Sequence, residues 1–167
     1  GTLKNKKVMM LSESQAQALI QELSSSSWTV IDKEEKPQTA YPPPPFITST
    51  LQQAAGRKLR FSAKRTMINA QQLYENGFIT YMRTDSLQLS SEAIQAARNM
   101  IKSSFGEKYL PEKPNHYKSK VKNAQEAHEA IRPAGSAIKS AEEVERSLGK
   151  DAVNLYKMIH MRTLACQ

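Results

Sequence analysis

The chain has 167 residues, and 24 Lys and Arg against 16 Asp and Glu give it a formal net charge of +8 at pH 7. A chain of this length supports one domain with its own core, or one domain with an appended segment. The composition, 39% hydrophobic and 24% charged, excludes a disordered protein. The basic charge favours a polyanionic partner such as nucleic acid, although a solvated basic surface gives the same balance.

The cysteine content and the lack of long apolar runs narrow the class of protein further. A single cysteine, Cys166, excludes a disulfide framework and a cysteine-rich zinc site, and it fits a cytosolic compartment. No stretch has the roughly 18 apolar residues of a membrane helix, so we expect no membrane partner. Because the chain starts at Gly1 and stops inside a helical pattern at Gln167, we expect a piece of a longer protein.

Residues 1–41 are predicted to form a small segment of mixed α and β structure. Four apolar residues recur at helical spacing, namely Ala16, Leu19, Ile20 and Leu23. Serines 24–27 end this helix, since their hydroxyls compete for backbone partners. The run Trp28–Asp32 predicts a strand, and a lone strand needs partners. We therefore expect residues 1–41 to be an α/β or β-rich segment of a larger sheet domain.

Prolines 42–45 mark the start of a second part, residues 42–167. Four consecutive prolines enforce extended geometry, so we expect a stiff spacer between the two parts. Helices are expected from Thr48 or Ser49 to about Lys58, Ser62 to Gly77, Ser90 to Gly106, Ala124 to Ile131, Ala141 to Leu148, and Asp151 to the end. Between them lie an extended run, Phe78–Tyr81, and a loop that includes Lys118–Lys122. This succession predicts a mainly α domain of winged-helix, CAP-like type.

The segment Gly77–Ser86 holds the first candidate for chemistry. If Tyr81 to Arg83 is extended, both side chains point to one face. A phenol beside a guanidinium suits attack on a phosphodiester, because the cation favours the phenolate and holds a phosphate oxygen. The residues that follow have turn chemistry, and Asp85 could also orient Arg83. The structural alternative is a buried tyrosine beside a surface arginine.

A dense basic cluster precedes that segment. Its members are Arg57, Lys58, Arg60, Lys64 and Arg65. No acidic residue occurs between Lys36 and Glu75, so contact with a phosphate backbone and a merely solvated face are both open. A helix that begins at Ser62 would add amide donors for a phosphate.

A second candidate constellation, residues 125–133, centres on His128. Its imidazole could contact a phosphate or give a proton to a leaving oxygen, and a structural histidine is the alternative. Arg132 stands where a zinc-binding H-E-x-x-H motif has its second histidine, so a zinc site is disfavoured. The aspartates, Asp32, Asp85 and Asp151, are too scattered to gather Mg²⁺, so we expect no metal site in this chain.

Three stretches together resemble bacterial DNA topoisomerase I, of the type IA family. They are Pro45–Ala55, Ile79–Ser86 and Gln125–Pro133, in the family's order. The resemblance implies the helical catalytic-tyrosine domain over 42–167 and part of the β-rich arch domain over 1–41. It also implies that Tyr81 is the nucleophile, that Arg83 assists at the scissile phosphate, and that His128 contributes to DNA binding and cleavage geometry. We add Thr84 and Asp85 to the basic cluster as predicted DNA contacts.

The implied reaction cleaves and religates one DNA strand through a 5′-phosphotyrosyl link, and relaxes negative supercoils by strand passage without ATP. Partners would be single-stranded or negatively supercoiled DNA and the remaining domains of the same polypeptide, in the bacterial cytoplasm at the nucleoid. Mg²⁺ would be bound by an acidic domain missing from this chain, so we expect the fragment alone to lack relaxation activity. The competing function is a non-catalytic winged-helix module that binds duplex DNA through the basic cluster.

Overall fold

The computed structural model describes residues 2–3, 6–7, 10–118 and 129–167. The chain divides into two compact units, Gly1–Thr39 and Ala40–Gln167. This division lies close to the predicted boundary at residue 41, and the assignment of the first unit to an arch domain stays a prediction. Within the described ranges, none of the helices combines the length and the apolar composition that crossing a bilayer requires.

The first unit contains a helix and a minimal hairpin. Strands β1 (Thr2–Leu3) and β2 (Lys6–Lys7) pair in antiparallel fashion. Helix α1 spans Glu13–Ser24 and begins after Ser12, whose hydroxyl accepts the amide hydrogen of Gln15. The predicted helix, and its end in the serine run, are confirmed.

The predicted strand over Trp28–Asp32 is wrong. Residues 28–32 show no strand pairing, and Val30 and Ile31 are 89% and 95% exposed. A β-branched run becomes a strand only where a second segment accepts its N–H and C=O groups, and none of the described residues does so here. The described part of the first unit is therefore not β-rich.

The second unit is mainly helical, which confirms the predicted fold class. Its helices are α2 (Thr48–Leu59), α3 (Ala63–Glu75), α4 (Ser91–Phe105), α5 (Ala141–Ser147) and α6 (Lys150–Ala165), with a 3₁₀ turn at Glu107–Tyr109. Ser62 and Ser90 cap α3 and α4 as predicted, through hydroxyls that accept an amide hydrogen of the first turn. Helix α2 differs, because its N-cap is Ile47 and neither Thr48 nor Ser49 caps it.

Helix α6 lies at the centre of the hydrophobic core and contacts α2, α3, α4 and α5. Leu155, Tyr156 and Ile159 of α6 are fully buried and share one cluster with Leu73 of α3. The phenol of Tyr156 donates to the carbonyl oxygen of Lys139 over 2.6 Å. The pKa of Tyr156 is raised to about 12, mainly because the phenol is buried. This phenol therefore serves packing and stays protonated at neutral pH.

The second half of the proline run packs against the helical unit. Pro45 and Phe46 are buried, and the carbonyl oxygen of Pro44 accepts a hydrogen bond of 3.1 Å from Arg162 Nη1. The Arg162 guanidinium also lies 4.2 Å from the centre of the Phe46 ring. Because proline has no N–H, its carbonyls are the groups by which the backbone can be held. Pro44 and Pro45 therefore belong to the second unit rather than to a free spacer.

The predicted helix over Ala124–Ile131 is wrong at its described end. Residues 124–128 lie outside the described residues, and 129–131 are not helical. Instead, Ile131 forms an antiparallel bridge with Phe46, and its N–H donates to the Phe46 carbonyl over 2.8 Å. The physical reason is tertiary pairing, because the N–H groups of Ala130 and Ile131 donate to the carbonyl oxygens of Gln88 and Phe46 and not to a preceding turn of helix.

A partly buried ion pair ties this extended stretch to the start of α4. Glu129 Oε2 lies 2.6 Å from Arg132 Nη2, and Glu129 Oε1 accepts the N–H of Ser90 over 2.7 Å. Burial by itself raises the pKa of Glu129, but the hydrogen bond from Ser90 and the charge of Arg132 outweigh burial, so the pKa is lowered. The ionised carboxylate is thus the form that stabilises the fold.

We expect Glu129→Gln to remove part of the acid sensitivity of folding. A lowered pKa contributes stability above the unfolded-state value of about 4.3, and that contribution is lost as the pH falls through the folded-state pKa. The variant should unfold at a lower temperature than the wild type at pH 7, with a difference that shrinks towards pH 3. Circular dichroism melts measure this, and Glu145→Gln, which removes an exposed carboxylate of α5, is the control. Parallel pH curves for wild type and Glu129→Gln would contradict the assignment.

Helix α2 ends in a strained residue, which gives a second stability test. Arg60 has φ 58°, in the left-handed region that costs a residue with a Cβ about 1 kcal/mol. We expect Arg60→Gly to raise the free energy of unfolding by up to about 1 kcal/mol, because glycine adopts this conformation freely. Lys58→Gly, inside the same helix, should instead lower it by about 1 kcal/mol. Urea denaturation measures both, and a lower midpoint for Arg60→Gly would count against the strain.

Candidate active site

Side chains alternate between exposed and buried along the segment from Tyr81 to Ser86. Tyr81, Arg83 and Asp85 are exposed, whereas Met82, Thr84 and Ser86 are buried. Tyr81 and Arg83 are therefore both accessible, but the chain bends at Met82 and Arg83, so the extended geometry expected from Tyr81 to Arg83 is not formed. Tyr81 keeps 41% of its surface exposed, so the alternative of a buried tyrosine does not apply. The chemical roles of the two residues stay predictions.

Helix α2 holds this segment on both sides of Arg83. The Thr48 hydroxyl lies 2.8 Å from the carbonyl oxygen of Met82 and 3.0 Å from the backbone nitrogen of Thr84. The N–H of Thr48 donates in turn to the carbonyl oxygen of Thr84 over 3.0 Å. Since the residues before and after Arg83 are both bonded to one threonine, the backbone that carries the guanidinium is fixed.

Residues 129–133 hold the stretch that precedes Tyr81. The N–H of Thr80 donates to the carbonyl oxygen of Arg132 over 2.9 Å. The Thr80 hydroxyl donates to the Ala130 carbonyl over 2.7 Å and accepts the N–H of Arg132 over 3.0 Å. The structure therefore brings together two stretches that the sequence pattern identified separately.

His128, the third predicted catalytic residue, lies outside the described residues, as do positions 119–122 of the lysine-rich loop. Its role in DNA binding and cleavage stays a prediction. The described chain resumes at Glu129, which is bonded to the N–H of Ser90 at the start of α4.

An aromatic neighbour of Tyr81 is a site residue that the sequence pattern does not reveal. The ring of Tyr74, near the end of α3, lies 5.2 Å from the ring of Tyr81, with the two planes at 66°. Tyr74 is itself 42% exposed. An edge-to-face contact of this kind favours a limited set of ring orientations for Tyr81. Helical spacing places Tyr74 on α3, but only the packing of α3 against the next segment makes the pair.

The basic cluster is exposed, but its members have different partners. The exposed cations are Arg57, Lys58, Arg60, Lys64 and Arg65. Arg65 Nη2 lies 2.6 Å from Asp151 Oδ2, and its guanidinium lies 4.4 Å from the Phe61 ring. The N–H of Arg65 donates to the Ser62 hydroxyl over 3.1 Å, so the start of α3 offers one free amide fewer to a phosphate than expected. DNA contact by the cluster stays a prediction.

Thr84 and Asp85 differ in their environments. Thr84 is buried, and its hydroxyl accepts the N–H of Ser86 over 3.0 Å, which is the turn chemistry expected of it. Asp85 is exposed. Among the ion pairs of the described residues, none joins Asp85 to Arg83, so the expected orienting contact is not formed. That either residue contacts DNA stays a prediction.

Metal ligands do not gather in the part of the chain that the structure describes. No three side chains of His, Cys, Asp or Glu come close enough there to hold a metal ion. The described residues therefore do not fit a Mg²⁺ site, which needs several oxygen ligands around one point. No chemical step is derived through a metal for these residues.

Comparison with known proteins places the whole chain in one family. A family model described as DNA topoisomerase matches residues 2–167. The chain is 53% identical over 171 residues to DNA topoisomerase 1 of Mycobacterium tuberculosis (strain ATCC 25618 / H37Rv) and 50% identical over 165 residues to that of Synechocystis sp.. These matches cover 100% and 99% of this chain but 18% of each relative. The chain thus spans less than a fifth of the length of these two relatives.

A solved structure agrees in both fold and sequence. Full-length topoisomerase I from Thermotoga maritima superposes with a TM-score of 0.73 and 39% identity, over 99% of this chain and 26% of that chain. Sequence and fold thus both match over nearly all of this chain. The chain belongs to the bacterial DNA topoisomerase I family, of type IA.

Proposed function

We propose that this chain carries the catalytic tyrosine of an enzyme that cleaves and religates one DNA strand. The observation that carries the proposal is that Tyr81 and Arg83 are both exposed on one short segment whose backbone is held by hydrogen bonds. Two hydroxyls, of Thr48 and Thr80, hold the backbone of this segment on either side of Tyr81. A nucleophile on a fixed backbone is what an oriented attack on a phosphodiester needs.

The proposed reaction is a transesterification at Tyr81. The phenolic oxygen forms a bond to the phosphorus of a DNA phosphodiester while the bond from phosphorus to the 3′ oxygen breaks. The products are a 5′-phosphotyrosyl link and a free 3′-hydroxyl, so the phenol loses a proton and the leaving oxygen gains one. Religation is the reverse attack by the 3′-hydroxyl. Since one ester replaces another, neither direction requires ATP.

Arg83 and His128 have supporting roles in this proposal. The guanidinium of Arg83 donates to a non-bridging phosphate oxygen and stabilises the charge that gathers there during attack. His128 contributes to DNA binding and to the geometry of cleavage. The basic cluster, together with Thr84 and Asp85, supplies the proposed DNA contacts. Arg65 contributes least to them, because Asp151 already balances its charge.

The rest of the parent polypeptide is needed for the complete activity. The chain spans 18% of its relatives, so the parts that hold the broken ends and pass the second strand lie elsewhere. We propose single-stranded or negatively supercoiled DNA as substrate, relaxation of negative supercoils as the outcome, and the cytoplasm at the bacterial nucleoid as the location. Mg²⁺ belongs to another part of the parent in this proposal, and no step above is assigned to it.

A non-catalytic DNA-binding module is the competing function, and the exposure of the basic cluster favours it. Such a module would contact phosphates through the cluster and would form no covalent bond. It predicts a preference for duplex over single-stranded DNA and binding that is insensitive to Tyr81. The two functions therefore differ in one product, a covalent protein–DNA adduct.

We expect Tyr81→Phe in the full-length parent to abolish the covalent adduct and leave DNA affinity unchanged within about threefold, because only the attacking oxygen is lost. Denaturing gels with a labelled single-stranded oligonucleotide measure the adduct. Tyr109→Phe is the matched control, since Tyr109 is an exposed tyrosine of the same unit, and it should form adduct as the wild type does. An adduct that persists in Tyr81→Phe would refute the assignment of the nucleophile.

We expect Arg83→Ala to slow adduct formation by about 100- to 1000-fold at saturating DNA, as the loss of a donor to the developing charge does elsewhere. Arg83→Lys should recover only part of the rate, since an ammonium lacks the two-pronged geometry. Arg146→Ala, which removes an exposed arginine of α5, is the control. An unchanged rate for Arg83→Ala would remove Arg83 from the site.

We expect the isolated chain to bind DNA weakly and to relax no supercoils, with or without Mg²⁺, because the proposed strand-passage machinery lies outside it. Agarose gels of a negatively supercoiled plasmid, with the full-length parent as positive control, measure the relaxation. Efficient relaxation by residues 1–167 alone would contradict the proposed division of labour.

A further inference from the structure

We propose that Thr48 is a positioning residue for the DNA cleavage step, acting through the backbone on either side of Arg83; this rests on the function proposed above. Its hydroxyl has a single hydrogen, and of the two carbonyl oxygens within reach that of Met82 at 2.8 Å is closer than that of Thr84 at 3.1 Å. The hydroxyl oxygen accepts the N–H of Thr84 at 3.0 Å. One side chain thus bridges two backbone groups that flank the guanidinium-bearing residue.

Thr48 stands at the start of α2, but its hydrogen bonds differ from those of a helix cap. A threonine at the start of a helix usually accepts an amide hydrogen of its own first turn. Here the N-cap is Ile47, whose side chain makes no cap hydrogen bond. Thr48, one residue later, directs its hydroxyl and its N–H out of the helix to residues 82 and 84. The first amide of a helix, which has no partner within the helix, is therefore used to bind the tyrosine segment.

The bonds of Thr48 hold the part of the segment that follows Tyr81. Residues before Tyr81 are paired with 130–132 through Thr80. After Tyr81, the backbone groups of Met82 and Thr84 are bonded to Thr48. Removal of the hydroxyl frees one end of the stretch that presents both reactive side chains. A displacement of about 1 Å at a reacting group can cost a factor of about 100 in rate.

Thr50 provides a matched control two positions along the same helix. It is half-buried like Thr48, and its hydroxyl accepts the N–H of Ile47 at 3.0 Å and donates to the Ile47 carbonyl at 3.2 Å. Its hydrogen bonds therefore lie entirely within the start of α2. Thr50→Val removes the same chemical group from the same element without touching the tyrosine segment.

The experiment compares variants of the full-length parent by the single-turnover rate of adduct formation on a labelled single-stranded oligonucleotide. At saturating oligonucleotide we expect Thr48→Val to slow the adduct by about 10- to 100-fold, with Thr48→Ser within about threefold of wild type. Religation should slow together with cleavage, because both pass through the same transition state. Thr50→Val should lower the melting temperature and leave the rate unchanged. The dissociation constant of Thr48→Val, measured by fluorescence anisotropy, should stay near the wild-type value.

Each outcome decides between the two proposals. Equal rates for Thr48→Val and Thr50→Val, or a defect in Thr48→Val that disappears at saturating DNA, overturn the positioning role alone. If Thr48→Val does not fold, Thr48→Ala replaces it, and failure of both to fold overturns the role, since the hydroxyl then serves the fold. Absence of any adduct with the wild-type enzyme overturns the proposed function itself.

Discussion

The candidate site depends on how the irregular stretch around Tyr81, which lies in no sheet, satisfies the hydrogen-bonding groups of its backbone. Buried N–H and C=O groups need partners, and a strand normally finds them in its neighbours. Around Tyr81 the partners are two threonine hydroxyls and the chain at 130–132. A hydroxyl donates and accepts at the same time, so each threonine joins two backbone groups. The result is a short fixed segment whose alternate side chains face outwards.

That arrangement is anchored in the hydrophobic core through Phe46. The Phe46 ring is buried beneath the Arg162 guanidinium of α6, and its carbonyl accepts the N–H of Ile131. The residues that follow Phe46 enter α2, and Arg132, which follows Ile131, pairs with Thr80. Phe46 therefore links the start of α2 to α6, through Arg162, and to the stretch that contains Ile131. Their mutual placement follows from packing and not from any one helix.

The arginines of this chain differ in their surroundings, and the net charge of +8 does not show which of them are already paired within the fold. Arg132 is nearly buried, paired with Glu129 and bonded to the Pro133 carbonyl, so it organises the backbone. Arg65 is paired with Asp151 between α3 and α6. Arg83 is exposed, as Tyr81 is. Arg83, the arginine proposed to act on DNA, thus differs from Arg132 and Arg65, which are each paired with a carboxylate of the fold.

The amino-acid sequence determined the features that depend on near neighbours. Ser62 and Ser90 start helices because each bonds within its own first turn. Tertiary structure decided what depends on distant partners. Trp28–Asp32 has strand composition but no partner strand, and residues 129–131, predicted to be helical, instead pair with Phe46 and Thr80. The hydroxyl of Thr48 resembles a helix cap in sequence, yet it bonds residues 82 and 84, because hydrogen bonds over such separations exist only once the core has brought the segments together.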